Sequence, residues 1–179
     1  MSVTPEDFPP QDIRSFLEFC AGEWLALRSR FDLGSAQAGV AGSPHNDEEA
    51  WHDSQRGELL VAFLEPARAG DPGGLRITPP GAATQELHFL AGGQFLRGPA
   101  GTPEAPGQWQ LVPDGSLELS LCGREGEVRE RIWFTKPNLR LRSSVEHRRD
   151  GSPGRASFSS EIRRVSRPSA SSAATPSPA

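Results

Sequence analysis

Beyond Glu58 the sequence passes from an alternating apolar and polar run to a turn about every 8–12 residues, with no helical pattern between. The runs are Glu58–Leu64, Gln85–Leu90, Gly93–Arg97, Gln108–Val112, Leu117–Leu121, Val128–Phe134, Asn138–His147 and Arg155–Val165. Pro113-Asp114-Gly115-Ser116, Arg124-Glu125-Gly126-Glu127 and Asp150-Gly151-Ser152-Pro153-Gly154 carry the turn chemistry that separates several of them. Short strands in this cadence predict an antiparallel barrel or sandwich. The placement of Gly and Pro supports this. Of 36 such residues, 18 lie within 65–115, where a Pro in a central strand would cost a ladder hydrogen bond. That third is therefore expected to be short strands broken by turns.

Ahead of the strands, Ile13, Phe16, Leu17 and Cys20 fall at i, i+3, i+4 and i+7, one apolar face of a short helix. Asp12 is its expected cap and Gly22 its stop. The period then changes to two, with Leu25, Leu27 and Ser29 alternating with Trp24, Ala26, Arg28 and Arg30 as a first strand. The expected organisation is a flexible 1–11, a single domain over 12–167 and a disordered Pro/Ser/Ala tail over 168–179. No apolar run approaches about 18 residues, which excludes a transmembrane helix. The first ten residues lack the features of a signal peptide, and two cysteines make no disulfide scaffold, so a cytoplasmic location is expected. Neither Cys20 nor Cys122 has a neighbour that would activate it.

Charge divides the chain. Residues 124–167 carry 12 basic and 6 acidic side chains, against 7 and 17 elsewhere, so a basic segment sits inside a chain of net charge −4. Such a segment predicts an anionic ligand. His45, His52, His88 and His147 are dispersed without metal-ligand spacing, and no metal is expected; nucleotide-binding glycine motifs are absent. Arginines interleaved with Trp133 and Phe134 could stack on single-stranded nucleic acid, but the acidic whole argues against it.

Three alternating segments carry candidate chemistry. In Asn138–Val145, Arg140, Arg142 and Ser144 share one face and the leucines share the other. Facing solvent they are ordinary surface residues; facing a lumen they form a fork for carboxylates. In Arg129–Phe134, whichever face is inward sets an ionisable group among apolar ones. A carboxylate there, Glu130, would be desolvated and suited to donating a proton. Glu161 is the second such acid, beside Arg163 in the closing strand. Surface salt bridges are the alternative for both.

Phe16-Leu17-Glu18-Phe19-Cys20-Ala21-Gly22-Glu23-Trp24, Arg28-Ser29, Glu130-Arg131-Ile132-Trp133-Phe134, Pro137-Asn138-Leu139-Arg140-Leu141-Arg142-Ser143-Ser144 and Ala156–Arg164 together resemble the S/U-type phycobiliprotein bilin lyases. The resemblance runs from about residue 13 to 167 and is loose in the Gly/Pro-rich third. It implies an antiparallel lipocalin-like β-barrel with an N-terminal helix. It also implies an enzyme that joins a linear tetrapyrrole (phycocyanobilin or phycoerythrobilin) by a thioether to a cysteine of an apo-phycobiliprotein subunit. By the same resemblance Arg28, Arg140 and Arg142 would anchor the bilin propionates and Ser144 would add a hydrogen bond. Glu130 and Glu161 would meet the pyrrole nitrogens, and Trp51 or Trp133 would stack on a ring. The bilin is substrate, and no separate cofactor is implied. Where the family reads Trp-x-Ser-Gln-Arg-Thr-x-His, this chain has Ala26, Leu27 and Phe31 in place of Ser, Gln and His, and keeps Arg28. Some members act as hetero-oligomers, so the alternative is a non-catalytic partner subunit or a bilin carrier. A homodimer is also compatible.

Overall fold

A computed structural model describes residues 8–34, 52–102 and 105–164. Trp51, His45 and the 168–179 tail lie outside the described residues. The helix α1 (Ile13–Cys20) is followed by ten strands: β1 (Gly22–Asp32), β2 (His52–Leu64), β3 (Gly73–Thr78), β4 (Gln85–Leu90) and β5 (Gln94–Pro99), then β6 (Ala105–Leu111), β7 (Leu117–Cys122), β8 (Gly126–Lys136), β9 (Leu139–Arg148) and β10 (Pro153–Arg163). Each strand pairs antiparallel with the next in sequence, and β1 closes the ring against β10. Of the barrel or sandwich that the turn cadence predicts, this is the closed barrel, with the N-terminal helix expected from the apolar stripe of 13–20 and from the family resemblance.

α1 begins where Asp12 Oδ1 accepts the Ser15 amide at 2.9 Å, and it ends before Gly22, whose φ is +137°. Its apolar face plugs one end of the barrel. Phe16, Leu17 and Cys20 are fully buried with Trp24 and Leu117, and the Phe16 and Phe134 rings meet edge-on at 5.3 Å. The Arg163 guanidinium donates to the carbonyls of Phe19 and Ala21, both at 2.5 Å, and so satisfies the end of the helix. The described helix is not long and apolar enough to cross a membrane.

β3 is not among the runs read as strands from sequence, and it lies in the stretch expected to be broken by Gly and Pro turns. The glycines serve close packing instead. A Cβ on Gly73 would meet the Leu64 carbonyl oxygen at 2.7 Å, and one on Gly74 would meet that of Leu87 at 2.5 Å. The Asp-Gly-Ser turns behave as read: Asp114 Oδ1 accepts from the amide and hydroxyl of Ser116, and Asp150 Oδ1 accepts the same pair from Ser152.

Candidate functional site: a charged barrel cavity

Strand parity decides which side chains enter the barrel. On β1 it is Trp24, Ala26, Arg28 and Arg30; on β8 it is Glu130, Ile132 and Phe134; on β9 it is Arg140, Arg142 and Ser144. Register then brings them together, with Ala26 and Arg140 flanking Glu161 and with Arg28 and Arg142 flanking Ser159. Ala26, Arg28, Arg142, Ser159 and Glu161 border a cavity of about 500 Å³ whose lining holds no residue of α1. Arg28, Glu130, Arg142 and Glu161 line it, among apolar walls that include Leu59, Leu87, Phe95 and Leu119. A volume of this size suits a small organic ligand. The rim takes its shape from the β3–β4 connection. Pro80 rests against β2 at Gly57, where a Cβ would lie 2.3 Å from the proline ring.

Two ion pairs organise the charge. Arg140 Nε donates to Glu161 Oε2 at 2.6 Å, and both side chains are at most 4% exposed. The guanidinium also lies 4.5 Å from the centre of the Trp24 ring, and Nη1 reaches the Cys20 carbonyl at 3.4 Å. Nearer the opening, Arg142 is paired with Glu130. Burial disfavours the Arg142 charge, but the Glu130 carboxylate more than offsets this and the guanidinium is held above its ordinary value. Both carboxylates therefore meet guanidiniums, as in the salt-bridge alternative but inside the barrel, and Glu161 is paired with Arg140 rather than with Arg163.

Arg28 differs. Its Nη2 donates to Ser157 Oγ at 3.2 Å, while Nε is buried and finds no acceptor among the described residues. Burial, then repulsion from Arg142 and Arg30, pushes its ionisation below the ordinary value. A buried donor left open is costly unless something fills it.

The remaining candidates separate. Arg140 lies behind Glu161 rather than on the cavity surface, so the innermost guanidinium is already neutralised. Ser144 shares the inward face of β9 and lies opposite Glu130 in the register, but it stands outside the cavity lining. Trp133 corrects the expectation of ring stacking. It points outward, 6.3 Å from Phe158, with Arg131 over it at 5.6 Å, because Glu130, Ile132 and Phe134 take the inward parity of β8. Trp51 lies outside the described residues. The sequence reading passed over Arg97, Gln85 and Arg30, which also line the cavity. For Arg97 the signal was present, since Phe95 and Arg97 alternate with Leu96, but it stood in the stretch read mainly for its turns. The arrangement can hold an elongated apolar ligand that carries carboxylates and hydrogen-bonding nitrogens.

Comparisons with known proteins agree in kind. The family described as CpeS-like protein matches residues 83–164. "Chromophore lyase CpcS/CpeS 1" of Paulinella chromatophora is 39% identical over 161 residues, covering 89% of this chain and 92% of that protein. "Chromophore lyase CpcS/CpeS" of Thermosynechococcus vestitus is 40% identical over 169 residues, covering 85% and 92% respectively. Among solved structures, the S-type phycobiliprotein lyase CPES of Guillardia theta superposes with a TM-score of 0.58 at 20% identity, over 88% of this chain and 96% of that one.

Proposed function

The chain belongs to the CpcS/CpeS chromophore lyase family, and from that premise we propose that its cavity binds a bilin and directs the attachment of that bilin to a phycobiliprotein cysteine. The observation that carries this reading is the cavity itself: apolar walls, two internal ion pairs and a buried Arg28 Nε without an acceptor. A bilin is a conjugated apolar ligand with two propionates and a row of pyrrole nitrogens. Arg28 supplies an open guanidinium for a propionate, and a carboxylate completes its hydrogen bonding. Glu130 and Glu161, held in place by Arg142 and Arg140, accept hydrogen bonds from pyrrole N–H groups and favour the protonated, electrophilic chromophore.

The acceptor thiolate adds to the ethylidene carbon of the bilin. A carbon–sulfur bond forms, the double-bond electron pair moves into the conjugated system, and that system takes up a proton. The enzyme's own thiols stand aside from this step. Cys20 is buried beneath the barrel floor and burial pushes its thiol up, while Cys122 is exposed. The acceptor cysteine thus comes from the apo-phycobiliprotein, in the cytoplasm. Coexpression with a bilin pathway and an apo-phycobiliprotein tests the proposal, scored as zinc-enhanced fluorescence of covalent chromophore on a denaturing gel. A fluorescent subunit is expected; absence of adduct with every subunit, with or without a second lyase chain, would overturn the enzymatic reading.

One observation favours the alternative of a partner subunit. Leu27, standing where the family resemblance expects Gln, is 52% exposed on the outer face of β1, and Phe158 and Ile162 on neighbouring β10 are also exposed. On that reading bilin binds alone, and transfer appears only when another lyase chain is added.

A further inference from the structure

Arg97 stands on β5, across the cavity from the wall that holds the paired charges. Its Nε and Nη2 both donate to the single oxygen Gln85 Oε1, at 3.0 and 2.7 Å. No carboxylate lies within ion-pair distance of it among the described residues. Burial, and then the like charge of Arg142, hold its ionisation below the ordinary value, while Glu130 acts the other way. Arg142 and Glu130 act on Arg28 as well. Two uncompensated guanidiniums, Arg28 and Arg97, therefore approach the Arg142–Glu130 pair from different parts of the wall. With Arg140 behind the cavity, four guanidiniums, those of Arg28, Arg97, Arg140 and Arg142, face two carboxylates, Glu130 and Glu161, while Arg30 has its own partner in Asp53. That excess positive charge matches a ligand with two acid groups.

We infer that Arg97 is a ligand-binding residue that takes one carboxylate of a dicarboxylate ligand while Arg28 takes the other, with Gln85 holding Arg97 in position when the cavity is empty. This rests on the bilin reading above and adds to it the separate placement of the two propionates. Gln85 satisfies two N–H groups with one neutral oxygen. A carboxylate offers two charged oxygens in the fork geometry that a guanidinium fits. Exchange of the amide for the carboxylate is therefore favourable at small displacement. Because the two anchors stand on different walls, they fix the long axis of the ligand as well as its charge.

The test is an absorbance titration of the full chain with phycocyanobilin and with its dimethyl ester. The wild type is expected to prefer the diacid by roughly 100-fold, each charge-assisted pair contributing on the order of tenfold. Arg97→Gln should lose about tenfold for the diacid and nothing for the ester. Arg97→Lys should recover part of the loss, and Arg28→Gln with Arg97→Gln should bring the two ligands level. Equal thermal midpoints for the variants separate this effect from misfolding. Arg97→Gln weakening both ligands alike, or neither, would overturn the assignment, as would wild-type binding without diacid preference. A wild type that binds neither ligand would overturn the bilin reading itself, and this inference with it.

Discussion

The two sides of the barrel wall meet the cavity in different ways. β8, β9 and β10 turn charged side chains inward and match them locally, Arg140 to Glu161 and Arg142 to Glu130, and beside them β1 adds the open guanidinium of Arg28. β3, β4 and β5 contribute mainly apolar side chains such as Ile77, Leu87 and Phe95, and Arg97 is the charged residue they bring to the lining. Paired groups have their geometry set before a ligand arrives, which suits atoms that must meet the reacting end of a substrate. Apolar surface makes no directional demand and suits the body of an extended chromophore. The contrast teaches that preorganisation lies on one side of the cavity and accommodation on the other.

Removing half of the deeper pair is the hardest blow to that arrangement. Glu161→Gln leaves the Arg140 guanidinium, 4% exposed, without its carboxylate, and a loss of about 3–5 kcal/mol in urea unfolding is expected. The pair is costly to split but not required for a stable fold. Arg140→Leu combined with Glu161→Leu should therefore recover most of the loss. A double variant as unstable as the single one would show that the pair is needed for more than charge balance.

Glu130→Gln separates chemistry from stability. Arg142 is 21% exposed at the cavity, so water can compensate it and the stability loss should stay near 1–2 kcal/mol. The rate of covalent attachment should fall at least tenfold while bilin affinity changes less than about threefold. Equal falls in both would make Glu130 a simple binding group.

The paired wall was legible in the sequence because its information is local. Leucine and arginine alternating in β9 declare two faces, and the barrel requires one of them to be inside. The helix was legible for the same reason, with its cap, apolar stripe and stop all within the eleven residues from Asp12 to Gly22. What alternation could not show is pairing across strands. Arg140 looked like a ligand anchor until the register set it opposite Glu161. Trp133 looked like a stacking platform until Phe134 and Ile132 took the inward parity. The apolar wall was harder to read because its glycines are fixed by neighbours distant in sequence: Gly74 by Leu87, Gly57 by Pro80.

That last contact yields a prediction about the accommodating side. Gly57→Ala forces Pro80 away from β2, which shifts the rim rather than the charged groups. The expected result is a stability loss of about 1–2 kcal/mol and a several-fold weaker diacid and diester alike. A selective loss for the diacid would instead place the rim in contact with the propionates.

The smallest effect concerns how the apolar wall is held from outside. Glu86 on β4 faces away from the cavity and is 4% exposed. It accepts from the Gly101 amide at 3.1 Å and from Arg76 at 2.8 Å, and it lies 3.0 Å from His88 Nε2. The Gly101 amide first, with His88 and Arg76 adding to it, holds the carboxyl at about 2, against an ordinary 4.5. One carboxylate thus ties β3, β4 and the β5–β6 connection at the mouth of the wall that has few polar ties inside. Since the folded value is the lower one, this stabilisation is present above about 4.5 and is lost as pH falls towards 2. Arg76 is 51% exposed, so solvent screening reduces the gain to on the order of 1 kcal/mol. Glu86→Gln should therefore lower stability slightly at neutral pH and flatten the unfolding curve between pH 4.5 and 2. Bilin affinity at neutral pH should be unchanged if the tie only supports the wall, and reduced if the mouth of the cavity depends on it.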